Sequence, residues 1–214
     1  VDLSARIGQA VRAGVDWIQI REKGLPSREL LALAQSAMAE NRGFEAPGRD
    51  KSGNNIRIVS GGMGTTSGGI FVNDRLDVAR AAGAAGVHLG GQSLAVAAVN
   101  AARTGDILPK EFMIGASCHS LEAARAAERD GADYIFFGPV FATPSKAEFG
   151  APQGMDKLAE VSRKLKIPVL AIGGVNEENA AECFAAGAAG IAAIRMFQEA
   201  EDLPALMARL RSVI

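Results

Sequence analysis

The chain has 214 residues, 48% of them hydrophobic, and a formal net charge of −1 at pH 7. That length suits one domain with a substantial core, and the balanced charge excludes the basic footprint of a nucleic-acid or anionic-membrane binder. No apolar run approaches the ~18 residues of a membrane span, no signal-peptide pattern opens the chain, and the two cysteines, Cys118 and Cys183, have no disulfide or zinc spacing, so a cytoplasmic location is the default.

In chain order, residues 1–13 read as a helix, stopped at Gly14 and followed at once by the apolar run Trp17–Ile20. The same phrase recurs: an alanine-rich amphipathic helix, a glycine, then a short apolar run. It places Gly83 before 87–89, Gly131 before Tyr134–Phe137 and Gly187 before 191–194. Glycine accepts the left-handed φ that ends a helix, so each phrase predicts a helix followed by a strand. Residues 70–73, 112–116 and 168–172 bring the predicted strands to seven. Short apolar runs between helical stretches predict parallel strands covered by helices.

The fold class expected is α/β, a single (β/α)8 TIM barrel over residues 1–214, with its first strand upstream of residue 1 or missing. A doubly wound open sheet is the weaker alternative, because no strand is followed by a glycine-rich dinucleotide fingerprint. The stretch 42–69, between the helix 28–40 and the strand 70–73, holds eight glycines and few large apolar residues. It predicts a mobile insertion on the N-terminal face, which in barrels serves stability rather than chemistry.

Polar groups collect at the strand ends: Gln19, Arg21 and Lys23; Asn73 and Asp74; His88; Ser117 and His119; Gly173 and Gly174; Arg195. The two-residue period of a strand puts Gln19, Arg21 and Lys23 on one face and Ile18 and Ile20 on the other. It likewise sets Cys118 behind Ser117 and His119, as a buried structural thiol. Taken singly, Arg21 and Lys23 read equally well as surface cations, Asp74 as a helix N-cap and His88 as a satisfied core histidine. Jointly they fall at one end of one barrel, where such folds hold phosphates between backbone N–H groups. Gly173 and Gly174 allow close approach of an anion. The loop Gly138-Pro139-Val140-Phe141-Ala142-Thr143-Pro144-Ser145-Lys146 offers two hydroxyls and a positive charge for a second phosphate or diphosphate.

These residues resemble the thiamine phosphate synthase family, which also contains the related thiazole tautomerases. The resemblance rests on Gln19-Ile20-Arg21-Glu22-Lys23, Val72-Asn73-Asp74-Arg75-Leu76-Asp77, Gly86-Val87-His88-Leu89-Gly90 and Gly115-Ala116-Ser117-Cys118-His119-Ser120. It continues through Gly131-Ala132-Asp133-Tyr134, the loop from Gly138 to Lys146 and Ala171-Ile172-Gly173-Gly174-Val175, covering nearly the whole chain except 42–69.

The resemblance implies a transferase that joins hydroxymethylpyrimidine diphosphate to thiazole phosphate and releases pyrophosphate, with Mg²⁺ as cofactor. The partners implied are phosphorylated small molecules, and the sequence is compatible with a homodimer. Departure of the diphosphate leaves a pyrimidine cation that the thiazole nitrogen captures, so the site must neutralise the leaving group and hold the nucleophile in line. By resemblance, Arg21, Lys23, Asn73 and Lys146 hold the diphosphate and Asp74 binds Mg²⁺ through oxygen. Gln19 and Ser117 line the pyrimidine site, with His88 also among the substrate-binding residues. Thr143, Ser145, Gly173 and Gly174 hold the thiazole phosphate with the backbone near Ile194 and Arg195. Lys146, Ser117 and His119 are the candidate catalytic residues.

Two positions depart from the family pattern. Ser93 stands where synthases carry a second Mg²⁺-ligating Asp, and a hydroxyl is the poorer ligand. Arg195 stands where the last strand usually ends in a phosphate-binding Ser, and a guanidinium can bind phosphate by another route. The first departure keeps open the tautomerase of the same family, an Mg²⁺-independent isomerase with His119 as proton carrier. A non-catalytic barrel that binds phosphorylated ligands is the third class.

Overall fold

The computed structural model describes residues 2–41, 69–143 and 151–213. Helices and strands alternate along it: α1 (Leu3–Arg12), β1 (Trp17–Ile20), α2 (Ser27–Asn41), β2 (Gly69–Asn73), α3 (Leu76–Ala82), β3 (Gly86–Leu89), α4 (Val96–Thr104) and β4 (Met113–Cys118). They continue with α5 (Leu121–Asp130), β5 (Tyr134–Phe137), α6 (Gly154–Lys164), β6 (Val169–Ile172), α7 (Ala180–Ala185), β7 (Gly190–Ala192), α8 (Arg195–Glu199) and α9 (Leu203–Ser212). The expected insertion over 42–69 lies outside the described residues apart from Gly69, which begins β2. No described helix is long and apolar enough to cross a membrane.

The strands form one sheet of seven, all parallel and in chain order from β1 to β7. Every strand therefore ends on the same edge, which is the property the expected site needs. The barrel arrangement matches the expectation, while its eighth strand is not among the described residues. The sheet curls so that its two outer strands are joined through helices. Arg6 of α1 donates to the carbonyls of Phe197 (2.6 and 3.1 Å) and Ala200 (2.6 Å), and Arg211 of α9 donates to that of Gly14 (2.7 Å).

Local sequence explains the helices. Asp2, Ser120 and Asp202 each accept an amide of the first turn of α1, α5 and α9 (Ser4, Ala123 and Ala205), caps worth about 1 kcal/mol apiece. Helix α5 stops at Gly131, whose φ of +98° is left-handed and whose missing Cβ leaves room for the Asn100 amide. In α9, Leu203, Leu206, Met207 and Leu210 are buried at the spacing of one helix face. Each such side chain contributes roughly 1.5–3 kcal/mol by leaving water.

At the N-terminal edge of the sheet, Asp133 accepts from Arg103 (2.5 Å) and from the Ile114 amide (2.6 Å). Arg103 also donates to the carbonyls of Phe112 (3.0 Å) and Gly131 (2.9 Å), tying α4 to the starts of β4 and β5. The phrase Gly131-Ala132-Asp133 thus has a structural cause far from the polar end.

Strand alternation sorts the core. Outward residues such as Ile70, Val87, Ile114, Ile135 and Leu89 pack beneath the helices. Inward residues Trp17, Phe71, Tyr134, Phe136 and Leu170 fill the interior. Tyr134 is at the centre of this layer, its ring 4.8 Å from Trp17 and 5.6 Å from Phe71, Phe136 and His88 between centroids. Its register partner on β4 is Gly115, where a Cβ would stand 2.2 Å from Tyr134 Cζ and 2.6 Å from His88 Nδ1.

One difference from expectation concerns the last strand. It ends at Ala192, and Arg195 opens α8 instead of closing β7. The cause is local: the Ile194 carbonyl accepts the amides of Phe197 (3.2 Å) and Gln198 (2.9 Å), committing the chain to a helical turn. Gly115→Ala should lower stability by about 1–3 kcal/mol through overpacking against Tyr134 and His88. A urea-unfolding midpoint equal to that of the unaltered protein would contradict this account of the interior.

Candidate functional site

At the C-terminal edge the polar side chains link sideways from strand to strand. Gln19 of β1 donates from Nε2 to Asn73 Oδ1 of β2 (2.7 Å), and Asn73 Nδ2 donates to Asp74 Oδ2 (2.6 Å). Asp74 has a φ of +62°, a left-handed conformation that aspartate tolerates better than most residues. This turn lets its amide donate to the His88 carbonyl of β3 (2.9 Å). Its Oδ1 accepts from the Gly90 amide (3.2 Å) and from the Ser93 hydroxyl, so the loop after β3 closes on the carboxylate. Asp74 does not cap α3; the residue at that position is Arg75, with no side-chain cap bond.

Partial burial pushes the Asp74 carboxyl upward, but the Ser93 hydroxyl, the Gly90 amide and the charges of Lys23 and Arg21 together outweigh it. The group is held below its ordinary value and is ionised at neutral pH. Arg21 and Lys23 are exposed cations within electrostatic reach of it. A carboxylate offers about four lone-pair sites. Asn73, Gly90 and Ser93 use three of those on Asp74. One remains for a cation, and the described residues contain no cluster of three or more His, Cys, Asp or Glu. The donor set fits Mg²⁺ held by one carboxylate, with phosphate and water supplying the rest.

Further along the edge, His88 is buried, with 1% of its surface exposed, and its Nε2 pairs with the Ser117 hydroxyl (2.9 Å). Its Nδ1 pairs with the Tyr134 hydroxyl (3.3 Å). Burial pushes the imidazole down to about 3, against a smaller upward pull from Asp74, so it is neutral at physiological pH. Ser117 is thus the half-buried group through which His88 meets the C-terminal edge of the sheet. The exposed ring of His119 donates from Nδ1 to the Gly138 carbonyl, which leaves Nε2 as an acceptor. Between them Cys118 is buried and its thiol is pushed up to about 11 by burial, as expected of a structural cysteine.

On the far side, the amides of Val140 and Phe141 donate to the carbonyls of Ile172 and Gly173 (2.9 Å each). The loop after β5 is thereby laid over the end of β6, with Phe141 and Ala142 against Gly174. A Cβ on Gly174 would stand 2.7 Å from the Ala142 oxygen, so only glycine permits this approach. Ile194 and Arg195 are exposed after β7. Ser145 and Lys146 lie outside the described residues.

The structure thus joins Gln19, Asn73 and Asp74 directly, and pairs His88 with Ser117 and His119 with Gly138. Nothing in the sequence alone sets Tyr134 apart, although its place two residues before Phe136 puts both on one face of β5. The contact between Ser93 and Asp74 was equally invisible, because it depends on the path of the loop after β3.

A sequence model of the thiamine monophosphate synthase family matches residues 65–197. A thiamine-phosphate synthase from Moorella thermoacetica is 38% identical over 205 residues, 96% of this chain and 85% of that protein. One from Methanocella arvoryzae is 49% identical over 144 residues, 67% of this chain and 66% of that protein. The solved structure of a thiamine phosphate pyrophosphorylase from Pyrococcus furiosus superposes with a TM-score of 0.78 at 32% identity, covering 99% of this chain and 88% of that one.

Because the folded pKa of Asp74 is depressed, its stabilising contribution is complete above the unfolded-state value of about 3.9 and is lost as pH falls through the folded value. Ser93→Ala removes one of the bonds that holds it down. Carboxyl ¹³C NMR should show the Asp74 pKa rising, and the variant should lose less stability than the parent on acidification below pH ~4. An unmoved titration would sink the assignment of Ser93 as its hydrogen-bond donor.

Proposed function

The chain belongs to the thiamine monophosphate synthase family and is a transferase; from that premise we propose how its own residues join hydroxymethylpyrimidine diphosphate to thiazole phosphate, forming thiamine phosphate and pyrophosphate. The observation that carries the assignment of roles is the line Gln19–Asn73–Asp74–Ser93, flanked by the cations Arg21 and Lys23, at the C-terminal edge of a parallel sheet.

In this reading the carbon–oxygen bond to the diphosphate breaks and its electron pair leaves with pyrophosphate. The thiazole nitrogen lone pair then forms the new carbon–nitrogen bond. Arg21, Lys23, Asn73 and Lys146 bind the departing diphosphate, where negative charge accumulates. Asp74 would hold Mg²⁺, which would supply further neutralisation of the leaving group's charge. Gln19 orients the pyrimidine, and Ser117 lines the same site beside the bond that breaks. Thr143, Ser145 and Gly174, with the backbone near Ile194 and Arg195, fix the thiazole phosphate so that its nitrogen lies in line with the carbon. Arg195, exposed at the start of α8, adds a guanidinium to that phosphate. Ser93 donates to Asp74 and so occupies a lone pair that would otherwise be open to a cation.

A second reading, thiazole isomerisation by His119, draws on one observation: Nδ1 is tied to Gly138, leaving Nε2 ready to accept a proton. The synthase relatives favour the condensation. Purified protein supplied with both substrates should release thiamine phosphate and pyrophosphate only when Mg²⁺ is present. Asp74→Ala should reduce that rate by on the order of 10²-fold or more, while His119→Ala leaves it largely intact. Condensation that survives Asp74→Ala, alongside isomerisation that His119→Ala abolishes, would overturn the proposal in favour of the second reading.

A further inference from the structure

The interior contains a polar chain that the condensation chemistry does not by itself call for. Tyr134 and His88 are each 1% exposed, and their ring centroids are 5.6 Å apart within an otherwise aromatic layer. The Tyr134 hydroxyl meets His88 Nδ1 (3.3 Å), and His88 Nε2 meets the Ser117 hydroxyl (2.9 Å). Ser117, near the C-terminal end of β4, is only half-buried and is the most exposed of the three.

A neutral imidazole has one nitrogen that donates and one that accepts, so only two arrangements are available. In the first, the Tyr134 O–H donates to Nδ1, and the Nε2–H donates to Ser117 Oγ. In the second, the Nδ1–H donates to Tyr134, and Ser117 donates to Nε2. Among the described residues the Tyr134 hydroxyl has no hydrogen-bond partner except His88. The second arrangement therefore leaves a fully buried O–H facing aromatic rings with no acceptor, at the full desolvation cost of that donor. The first satisfies every group. It also fixes what Ser117 offers: with its lone pair receiving the Nε2–H, its own hydrogen must turn outward.

We propose that Tyr134 is a positioning residue which, through His88, presents the Ser117 hydroxyl to the substrate as a hydrogen-bond donor. This rests on the placement of Ser117 in the substrate site argued above. A donor there matches an oxygen of the departing diphosphate, on which negative charge develops as the bond breaks. Directed at a ring nitrogen, the same donor would disfavour the positive charge that the pyrimidine acquires. The relay therefore serves the transition state more than the bound substrate, and its loss lowers kcat rather than raising KM.

Two measurements test this. In the unaltered protein, ¹⁵N NMR of the His88 imidazole should show a protonated Nε2 and an unprotonated Nδ1 at neutral pH. The opposite tautomer overturns the proposal whatever the protein catalyses. Tyr134→Phe keeps the ring and removes the donor. It should lower kcat about tenfold, the size of one hydrogen bond, with the KM for the pyrimidine diphosphate nearly unchanged. In a Ser117→Ala background the same change should cost little, because the relay then has no end to act on. Equal losses in both backgrounds mark a packing effect and overturn the relay. Absence of condensation by the unaltered protein is a failure of the functional reading instead, and the tautomer measurement separates the two.

Discussion

A parallel sheet that curls round on itself must fill its own interior, and here a single tyrosine ring occupies the middle of that space. Tyr134 touches the rings of Trp17, Phe71, Phe136 and His88 at once, which is possible only because β4 presents Gly115 at the facing register position. Protein interiors are packed as densely as organic crystals, so such a layer behaves as a floor with little play. Gln19, Asn73, His88 and Ser117 stand on it, and their mutual hydrogen bonds inherit its rigidity.

The edge above that floor divides into two electrostatic kinds. Around Asp74 the groups are charged and open to water: one carboxylate, its hydroxyl and amide donors, and two cations. Around His88 they are buried and uncharged. A charge in the second region would have to be desolvated, whereas a neutral relay costs nothing of that kind and still fixes direction. The C-terminal edge therefore binds charge at one place and orients a hydroxyl at another, while at the opposite edge the partly buried ion pair of Arg103 with Asp133 ties elements together.

The fold was legible because each glycine-terminated helix is followed directly by its strand; the predicted runs 87–89 and 70–73 miss β3 and β2 by one residue. The last strand was less so: Ile191 through Ile194 reads as one apolar run, and only the Ile194 carbonyl bonds reveal that the chain has already turned. Within the site, a strand's period of two was enough to set Gln19 on the polar face, but not to find its bond to Asn73 or Ser93 against Asp74, which depends on a loop path. Tyr134 was hidden for another reason. An aromatic in an apolar strand reads as core, and it is core; its hydroxyl matters only because His88, on a different strand, lies within reach. Residues 42–68 and the segment carrying Ser145 and Lys146 lie outside what the structure describes.

The arginine bonds that close the curl also bear on how the chain assembles during synthesis. Each strand pair joins neighbours in sequence, so successive units can pair as they emerge. Arg6, by contrast, reaches carbonyls 191 and 194 positions away, and Arg211 reaches one 197 positions back. Such contacts carry the largest loop-closure entropy and raise the contact order that slows folding. Helix α1 is therefore made long before the carbonyls that its Arg6 guanidinium binds, and this part of the closure waits until the chain after β7 has emerged.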